Sequence, residues 1–137
     1  MIAVADTGFV LAVAIATDRW HSRCVALYRQ HQHIYLPQST LSEVAYLLTR
    51  EGGNLTTARF LENLPRSKYR PVALTDIDIQ MTVKRLRQYA DARLDFVDVT
   101  VAVIAERLGV RRILTLDQRD FSILRPQTWE HFELLPE

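Results

Sequence analysis

The sequence predicts a three-layer α/β/α sandwich, with a mostly parallel sheet of about five strands covered by helices on both faces. Three observations predict this class. The chain has 137 residues, enough for one domain with a core but too few for two, so we expect residues 1–137 to form a single domain. Short apolar runs typical of buried strands alternate with segments of helical periodicity. Several of these runs are followed by an acid or a turn residue.

Composition is ordinary for a soluble globular protein, with 48% hydrophobic and 24% charged residues. No run approaches the ~20 apolar residues needed to cross a bilayer, so we expect no membrane partner and a cytoplasmic location. Cys24 is the only cysteine, which excludes an intrachain disulfide and favours a reducing compartment. A net charge of +1 does not itself indicate nucleic-acid binding, although arginine far outnumbers lysine and its planar fork suits phosphate.

Five strands are predicted, at residues 2–5, 34–36, 72–74, 112–116 and 132–135. The first is continuously apolar and ends at Asp6, and the second ends at Pro37. Helical segments separate the first four strands, and this spacing favours parallel crossovers. The carboxyl ends of those strands should therefore meet at one edge of the sheet, where parallel α/β proteins bind their ligands.

Six helices are predicted, at residues 7–16, 21–32, 39–50, 55–64, 76–90 and 96–108. The last begins after Asp95, a preferred N-cap residue, and ends at Gly109. The fifth carries an apolar stripe at helical spacing, which we expect to face the core, with its basic residues in solvent. The stripe consists of Ile79, Val83, Leu86 and Ala90, and the basic side includes Lys84, Arg85 and Arg87.

Four acids are expected at the carboxyl edge of the sheet. Asp6 and Asp117 each end a strand, and Glu43 and Asp98 each lie near the start of a helix. If the first and fourth strands are neighbours, all four carboxylates converge. Crowded carboxylates raise one another's pKa unless a cation joins them, and Mg²⁺ or Mn²⁺ is the cation that such oxygen ligands prefer. This arrangement indicates metal-assisted phosphodiester chemistry, with the metal supplying an activated water.

Two threonines and three arginines are expected to support this site. The hydroxyls of Thr7 and Thr115 are candidates to orient a metal-bound water. Arg93, Arg112 and Arg119 lie near the acids in sequence and are candidates to bind the phosphates of such a substrate. Two further acids are expected to have other roles: Asp95 as the N-cap of the helix that carries Asp98, and Asp120 in a pair with an arginine or with water.

Other interpretations remain open. Every acid also has a plausible capping role; for example, Thr40 and Glu43 have the spacing of a capping box. If capping is the only role of these acids, the chain is a catalytically inactive module that binds another protein through apolar helix faces. Zinc is disfavoured, because the histidines and Cys24 follow no common zinc spacing. A phosphatase with Asp6 as nucleophile is disfavoured by Gly8, which stands where such folds generally carry a second acid.

The acidic motifs together resemble the PIN-domain family and, more narrowly, the VapC toxins of bacterial toxin–antitoxin pairs. The resemblance covers essentially the whole chain in length and in motif order. The segments that carry it are Asp6-Thr7-Gly8, Leu41-Ser42-Glu43, Leu94-Asp95-Phe96-Val97-Asp98 and Thr115-Leu116-Asp117.

The resemblance implies a PIN-like fold and a Mg²⁺- or Mn²⁺-dependent endoribonuclease. By this resemblance Asp6, Glu43, Asp98 and Asp117 are the catalytic, metal-binding acids. The implied substrate is RNA, cut in single-stranded or loop regions to leave 5′-phosphate and 3′-hydroxyl ends. The implied partners are a small cognate antitoxin, which blocks the site and binds promoter DNA, and a second copy of the chain in a homodimer.

Overall fold

The computed structural model describes residues 1–137 and contains one five-stranded sheet. All neighbouring strands are parallel, in the order β3-β2-β1-β4-β5. The predicted α/β sandwich with a parallel sheet is therefore confirmed, as is the neighbouring position of the first and fourth strands. The strands are β1 (Ile2–Ala5), β2 (His33–Pro37), β3 (Tyr69–Val72), β4 (Arg112–Leu114) and β5 (Glu133–Leu135).

All six predicted helices are present, and one short helix lies between β4 and β5 where none was predicted. No helix has both the length and the apolar character needed to cross a bilayer. The helices are α1 (Thr7–Ala14), α2 (His21–Gln30), α3 (Gln38–Gly52), α4 (Asn54–Asn63), α5 (Asp76–Gln88), α6 (Phe96–Leu108) and the unpredicted α7 (Gln118–Ile123).

Strand β3 begins three residues earlier than predicted. It includes Arg70 and Pro71, neither of which reads as part of a buried strand. The reason is its position at the edge of the sheet, paired with β2 alone. An edge strand tolerates the missing amide hydrogen of proline and leaves the arginine exposed to solvent.

The core lies on both faces of the sheet because side chains alternate along each strand. Ala3 and Ala5 of β1 belong to a cluster formed with α1, α2 and α3. Val4 belongs to a second cluster, formed with α6 and the segment after β4. Both clusters contain side chains with no measurable exposure, so β1 is held rigidly between two packed layers.

The apolar stripe of α5 faces solvent, contrary to the prediction. Ile79, Val83 and Leu86 are 41%, 45% and 36% exposed, and Ala90 lies beyond the end of the helix. Helical periodicity identifies an apolar face but does not say whether the protein's own core covers it.

The buried side of α5 is polar. Asp78, Thr82 and Arg85 are all at least 95% buried. Helix α6 supplies their partners: Arg85 binds Glu106 at 2.6 Å, and the Nε of Arg107 binds Asp78 at 2.8 Å. The prediction that Arg85 lies in solvent is therefore wrong. Burial of these charges is tolerated because each acid has a cation and further hydrogen bonds.

Candidate functional site

Asp6 and Asp117 lie at the same edge of the sheet because β1 and β4 are adjacent. Ala5 is in register with Leu114, and the Asp6 amide donates to the Leu114 carbonyl at 2.9 Å. Thr115 joins the two acids: its hydroxyl donates to Asp6 Oδ2 at 3.1 Å and accepts from the Asp117 amide at 2.9 Å. The Thr115 hydroxyl therefore positions the two acids directly; its predicted role in orienting a metal-bound water stays a prediction.

Asp98 is placed by the start of α6. The Asp95 carboxylate accepts a hydrogen bond from the Asp98 amide at 2.8 Å, which confirms the prediction that Asp95 is the N-cap. Residues 98–105 of this helix are buried without interruption, so Asp98 is only 5% exposed. Gly109 ends the helix in the left-handed region, at φ 68°, where a side chain is strained.

Asp98, Asp117 and Asp120 form the tightest group of acids. One carboxylate oxygen from each lies within 4.8 Å of the others. Asp117 caps α7 by accepting from the Asp120 amide at 3.2 Å, and this helix turns Asp120 toward the other two acids. The predicted ion pair between Asp120 and an arginine is not formed, because the unpredicted helix α7 turns Asp120 toward the other acids. The alternative, that Asp120 pairs with water, stays a prediction.

Glu43 lies beside this group. Because α3 begins at Gln38, Glu43 falls in the second turn, and the predicted capping box with Thr40 is absent. The Thr40 hydroxyl instead donates to the Ala5 carbonyl at 3.3 Å, which ties α3 to the end of β1. Repulsion from Glu43 contributes to the raised pKa of Asp6. Like Asp6, Glu43 lies outside the tight group of three.

The acids are poorly stabilised as anions. Burial, followed by repulsion from Asp6, Asp95 and Asp117, raises the pKa of Asp98 to about 9. Burial also raises the pKa of Asp6 to about 6, despite hydrogen bonds from the Thr7 amide and the Thr115 hydroxyl. These shifts are the expected result of crowding carboxyl groups in a dry site without a cation.

This donor set fits a hard divalent cation. The three ion pairs of the molecule involve Asp78, Glu106 and Glu133 and none of the acids at this edge. Carboxylate oxygens are the ligands that Mg²⁺ and Mn²⁺ prefer, and a cation would remove the repulsion. The hydroxyl of Thr7, next to Asp6, is buried without a hydrogen-bond partner in the protein, which leaves it able to accept or donate to a bound water.

The three predicted RNA-binding arginines lie in different places. Arg93 and Arg119 are exposed and form no ion pair; Arg93 lies in the loop before α6, and Arg119 lies on α7 beside Asp120. Arg112 is at the amino end of β4, whereas Asp117 follows its carboxyl end. The Arg112 guanidinium binds Glu133 at 2.9 Å. The structure therefore does not bring Arg112 to the acids. Arg112 and Asp117 are close in sequence, but the length of strand β4 separates them in space.

The fold and the acidic edge together define a PIN domain. The family model for the PIN domain matches residues 3–125, and the chain belongs to this family.

The relatives narrow the resemblance to VapC proteins. The chain is 26% identical over 136 residues to Ribonuclease VapC26 of Mycobacterium tuberculosis, covering 97% of this chain and 99% of the relative. Its structure is similar to that of VapC20 of M. tuberculosis, a sarcin–ricin loop cleaving toxin, with a TM-score of 0.77, 20% identity and coverage of 88% and 92%. It also resembles VapBC2 of Rickettsia felis bound to a promoter DNA fragment, with a TM-score of 0.69, 12% identity and coverage of 98% and 97%.

Proposed function

We propose that the chain acts, as a single PIN-like domain, as a divalent-metal-dependent endoribonuclease and the toxin of a toxin–antitoxin pair. One observation carries this proposal: acids from four separate segments converge at the carboxyl edge of the sheet, and no arginine or lysine forms an ion pair with them. The ribonuclease name of the VapC26 relative, and the RNA-cleaving toxin among the similar structures, support the choice of RNA as substrate.

The proposed metal ligands are Asp98 and Asp117, and Asp6 and Glu43 complete the acidic site. Asp120 joins the proposed site because its carboxylate lies close to those of Asp98 and Asp117. When bound, Mg²⁺ or Mn²⁺ would polarise the scissile phosphate and lower the pKa of a coordinated water. The water would lose a proton to solvent as its oxygen formed the new bond to phosphorus, and the bond to the 3′ oxygen would break as that oxygen took up a proton. The products then carry a 5′-phosphate and a 3′-hydroxyl.

The chain's other residues organise this reaction. Thr115 fixes Asp6 relative to Asp117, and Asp95 fixes the turn of helix that carries Asp98. Holding the ligands rigidly keeps the acids close despite their repulsion. Arg93 and Arg119, both exposed and unpaired, are proposed to bind RNA phosphates on either side of the cut.

Two protein partners are part of this proposal. Similar structures include a toxin–antitoxin complex from Klebsiella pneumoniae and the VapBC2 assembly, which support a small antitoxin as one partner. A second copy of the chain is the other. The exposed apolar residues Ile79, Val83 and Leu86 of α5 supply a surface that a homodimer would bury.

Cleavage of RNA by the purified chain, with and without metal, tests the proposed activity. We expect cleavage in Mg²⁺ or Mn²⁺ and none in EDTA, with products carrying 5′-phosphate. Asp98→Asn should reduce the rate by at least about 1,000-fold, because it removes a charge from the metal site.

The matched control is Asp76→Asn, which removes an exposed first-turn acid of α5 and should leave the rate unchanged. Cleavage that persists in EDTA or in Asp98→Asn would contradict the metal mechanism. A folded chain that binds its antitoxin but cuts no RNA under any metal would support the inactive interaction module instead.

A further inference from the structure

A groove with two exposed aromatic side chains lies next to the acids. Its lining includes Glu43, Tyr46, Leu74 and Phe96, and its volume is about 540 Å³. Tyr46 is 65% exposed and Phe96 is 47% exposed. Large aromatic side chains normally bury most of their surface, so two of them exposed in one groove indicate a binding surface.

The groove continues the acidic site along the same edge of the sheet. The acids lie above the carboxyl ends of β1 and β4. The groove is lined by residues that follow β2 and β3, including Gln38 after β2 and Leu74 after β3. The side chain of Gln38 accepts a hydrogen bond from the Leu74 amide at 3.2 Å, which links the two segments.

Helices α3 and α6 connect the aromatic rings to the acids. Glu43 and Tyr46 are three residues apart on α3 and therefore lie on one face of the helix. Phe96 is the first residue of α6, two before Asp98. The hydroxyls of Ser39 and Thr100 are hydrogen bonded at 2.6 Å where the two helices meet, so the two rings are carried by elements fixed to each other.

We infer that Tyr46 and Phe96 stack on the bases of single-stranded RNA next to the cleaved phosphate. The inference rests on the proposed ribonuclease activity. A single strand crossing the acids along this edge must pass over the groove, and every base has a flat face that an aromatic ring can stack on. A duplex has its bases stacked on each other, so these rings favour single-stranded or loop regions.

The groove also has polar groups suited to base edges. Gln38 and Ser42 line it together with the two rings, and an amide or a hydroxyl can each donate to and accept from a base. No arginine or lysine lines the groove, so its contribution to binding is stacking rather than phosphate neutralisation. Contacts to the RNA phosphates would then be made by Arg93 and Arg119.

Single-turnover cleavage of a short fluorescein-labelled single-stranded RNA in Mg²⁺, titrated with protein, tests the inference. Tyr46→Ala and Phe96→Ala should each raise the half-saturating protein concentration by roughly fivefold to a hundredfold, as expected for loss of one stacked base. The rate at saturation should stay within about twofold, because the rings do not contact the reacting atoms.

Conservative variants separate stacking from general structural damage. Tyr46→Phe and Phe96→Tyr keep a flat ring and should behave like the wild type, whereas Phe96→Leu keeps an apolar side chain without a ring and should resemble Phe96→Ala. The matched control is Leu55→Ala, a 70% exposed apolar residue on α4 outside the groove, which should have no effect.

An RNA with abasic riboses on one side of the cut completes a double-mutant cycle. Base removal should weaken binding to the wild type and have little further effect on the Tyr46→Ala/Phe96→Ala double variant. Additive losses, or unchanged half-saturation in the alanine variants, would overturn the inference. So would a change in oligomeric mass, measured by sedimentation, with RNA affinity unaltered, because a protein partner would then occupy the groove. If the wild type cuts no RNA at all, the proposed function itself fails.

Discussion

Two buried aspartates, Asp78 and Asp98, are 1% and 5% exposed, yet their pKa values shift in opposite directions. Burial acts to raise the pKa of Asp78, but hydrogen bonds from Thr75 and the guanidinium of Arg107 outweigh it, and the pKa falls below 3.8. No cation meets Asp98, and its pKa rises to about 9.

The contrast separates structural acids from functional ones. Around Asp78 the chain places Arg107 and the Thr75 capping box, so every oxygen has a partner. Around Asp98 it places other acids instead. A protein tolerates such an uncompensated group only where something else offsets its cost, and a bound divalent cation is the compensation that we propose at this edge of the sheet.

The largest effect we expect is on the compensated acid. Asp78→Ala should lower the free energy of unfolding by about 3 kcal/mol, because it leaves Arg107 without its partner and removes the capping box. Urea unfolding monitored by circular dichroism measures this. Asp76→Ala, which removes an exposed acid from the same turn, should change stability by less than about 0.5 kcal/mol. Equal losses in the two variants would mean that the ion pair contributes nothing beyond the helix end.

The pH dependence of metal-free stability should reveal the uncompensated acids. Between pH 5 and 8 the folded chain holds more protons than the unfolded chain, because the pKa of Asp98 is about 9 and that of Asp6 about 6, against 3.8 for ordinary aspartate. Stability in EDTA should therefore fall as pH rises through this range, by about 1.4 kcal/mol per pH unit for each proton by which the two states differ.

Asp78 gives the opposite dependence in a different range. Its lowered pKa stabilises the fold above about pH 4, and this contribution is lost as pH falls further.

Saturating Mg²⁺ should reverse the fall in stability that we expect between pH 5 and 8 in EDTA, because the metal binds the ionised carboxylates at the acidic edge. Stability in EDTA that increases from pH 5 to 8 would mean that the acids are already compensated within the protein.

Neutralising the uncompensated acid should have a smaller effect, of opposite sign to the loss at Asp78. Asp98→Asn should raise the free energy of unfolding in EDTA at pH 8 by about 1 kcal/mol, because the Asp98 carboxyl, with a pKa of about 9, must take up a proton on folding at this pH and asparagine need not. The buried amide of asparagine, which has no partner there, offsets part of this gain. Addition of Mg²⁺ should stabilise the wild type more than the variant, which thermal denaturation would show. A variant less stable than the wild type in EDTA would indicate that the Asp98 charge serves mainly to stabilise the start of α6.

The smallest effect on stability should come from two uncharged groups, a tyrosine hydroxyl without a hydrogen-bond partner and one with a partner. The Tyr69 hydroxyl is buried with no protein partner, whereas the Tyr28 hydroxyl accepts from the Lys68 amide at 3.0 Å. Tyr69→Phe should raise the free energy of unfolding by about 0.5 kcal/mol and Tyr28→Phe should lower it by about 1 kcal/mol. Chemical denaturation of the two variants side by side tests this pair. A loss of stability in Tyr69→Phe would reveal a buried water that completes the hydroxyl's hydrogen bonding.

Sequence patterns predicted the fold and identified the segments that carry the acids, because both depend on short stretches of neighbouring residues. Each apolar run followed by an acid marks a strand end, and parallel topology brings such ends together. The positions of Asp6 and Glu43 outside the tight group were not predictable, because they depend on how β1 and α3 pack against α6 and α7, which no local pattern contains. Asp120 was misjudged for a similar reason, since a six-residue helix leaves little periodic signal.

The errors in α5 and in the arginines have a different cause. Whether the apolar or the polar side of α5 is buried depends on Glu106 and Arg107, which lie on the following helix, α6. Arg112 is close in sequence to Asp117, but the intervening strand carries them to opposite ends of the sheet. Both facts depend on tertiary contacts that no local pattern contains.

Crystals soaked in Mn²⁺ and measured at a wavelength where manganese scatters anomalously test the central claim most directly. The account predicts an anomalous peak coordinated by the carboxylates of Asp98 and Asp117, with Asp6, Glu43 or Asp120 completing the site directly or through water, and its loss in Asp98→Asn crystals. Absence of a peak at these carboxylates in the wild type, with manganese bound only elsewhere on the surface, would contradict it.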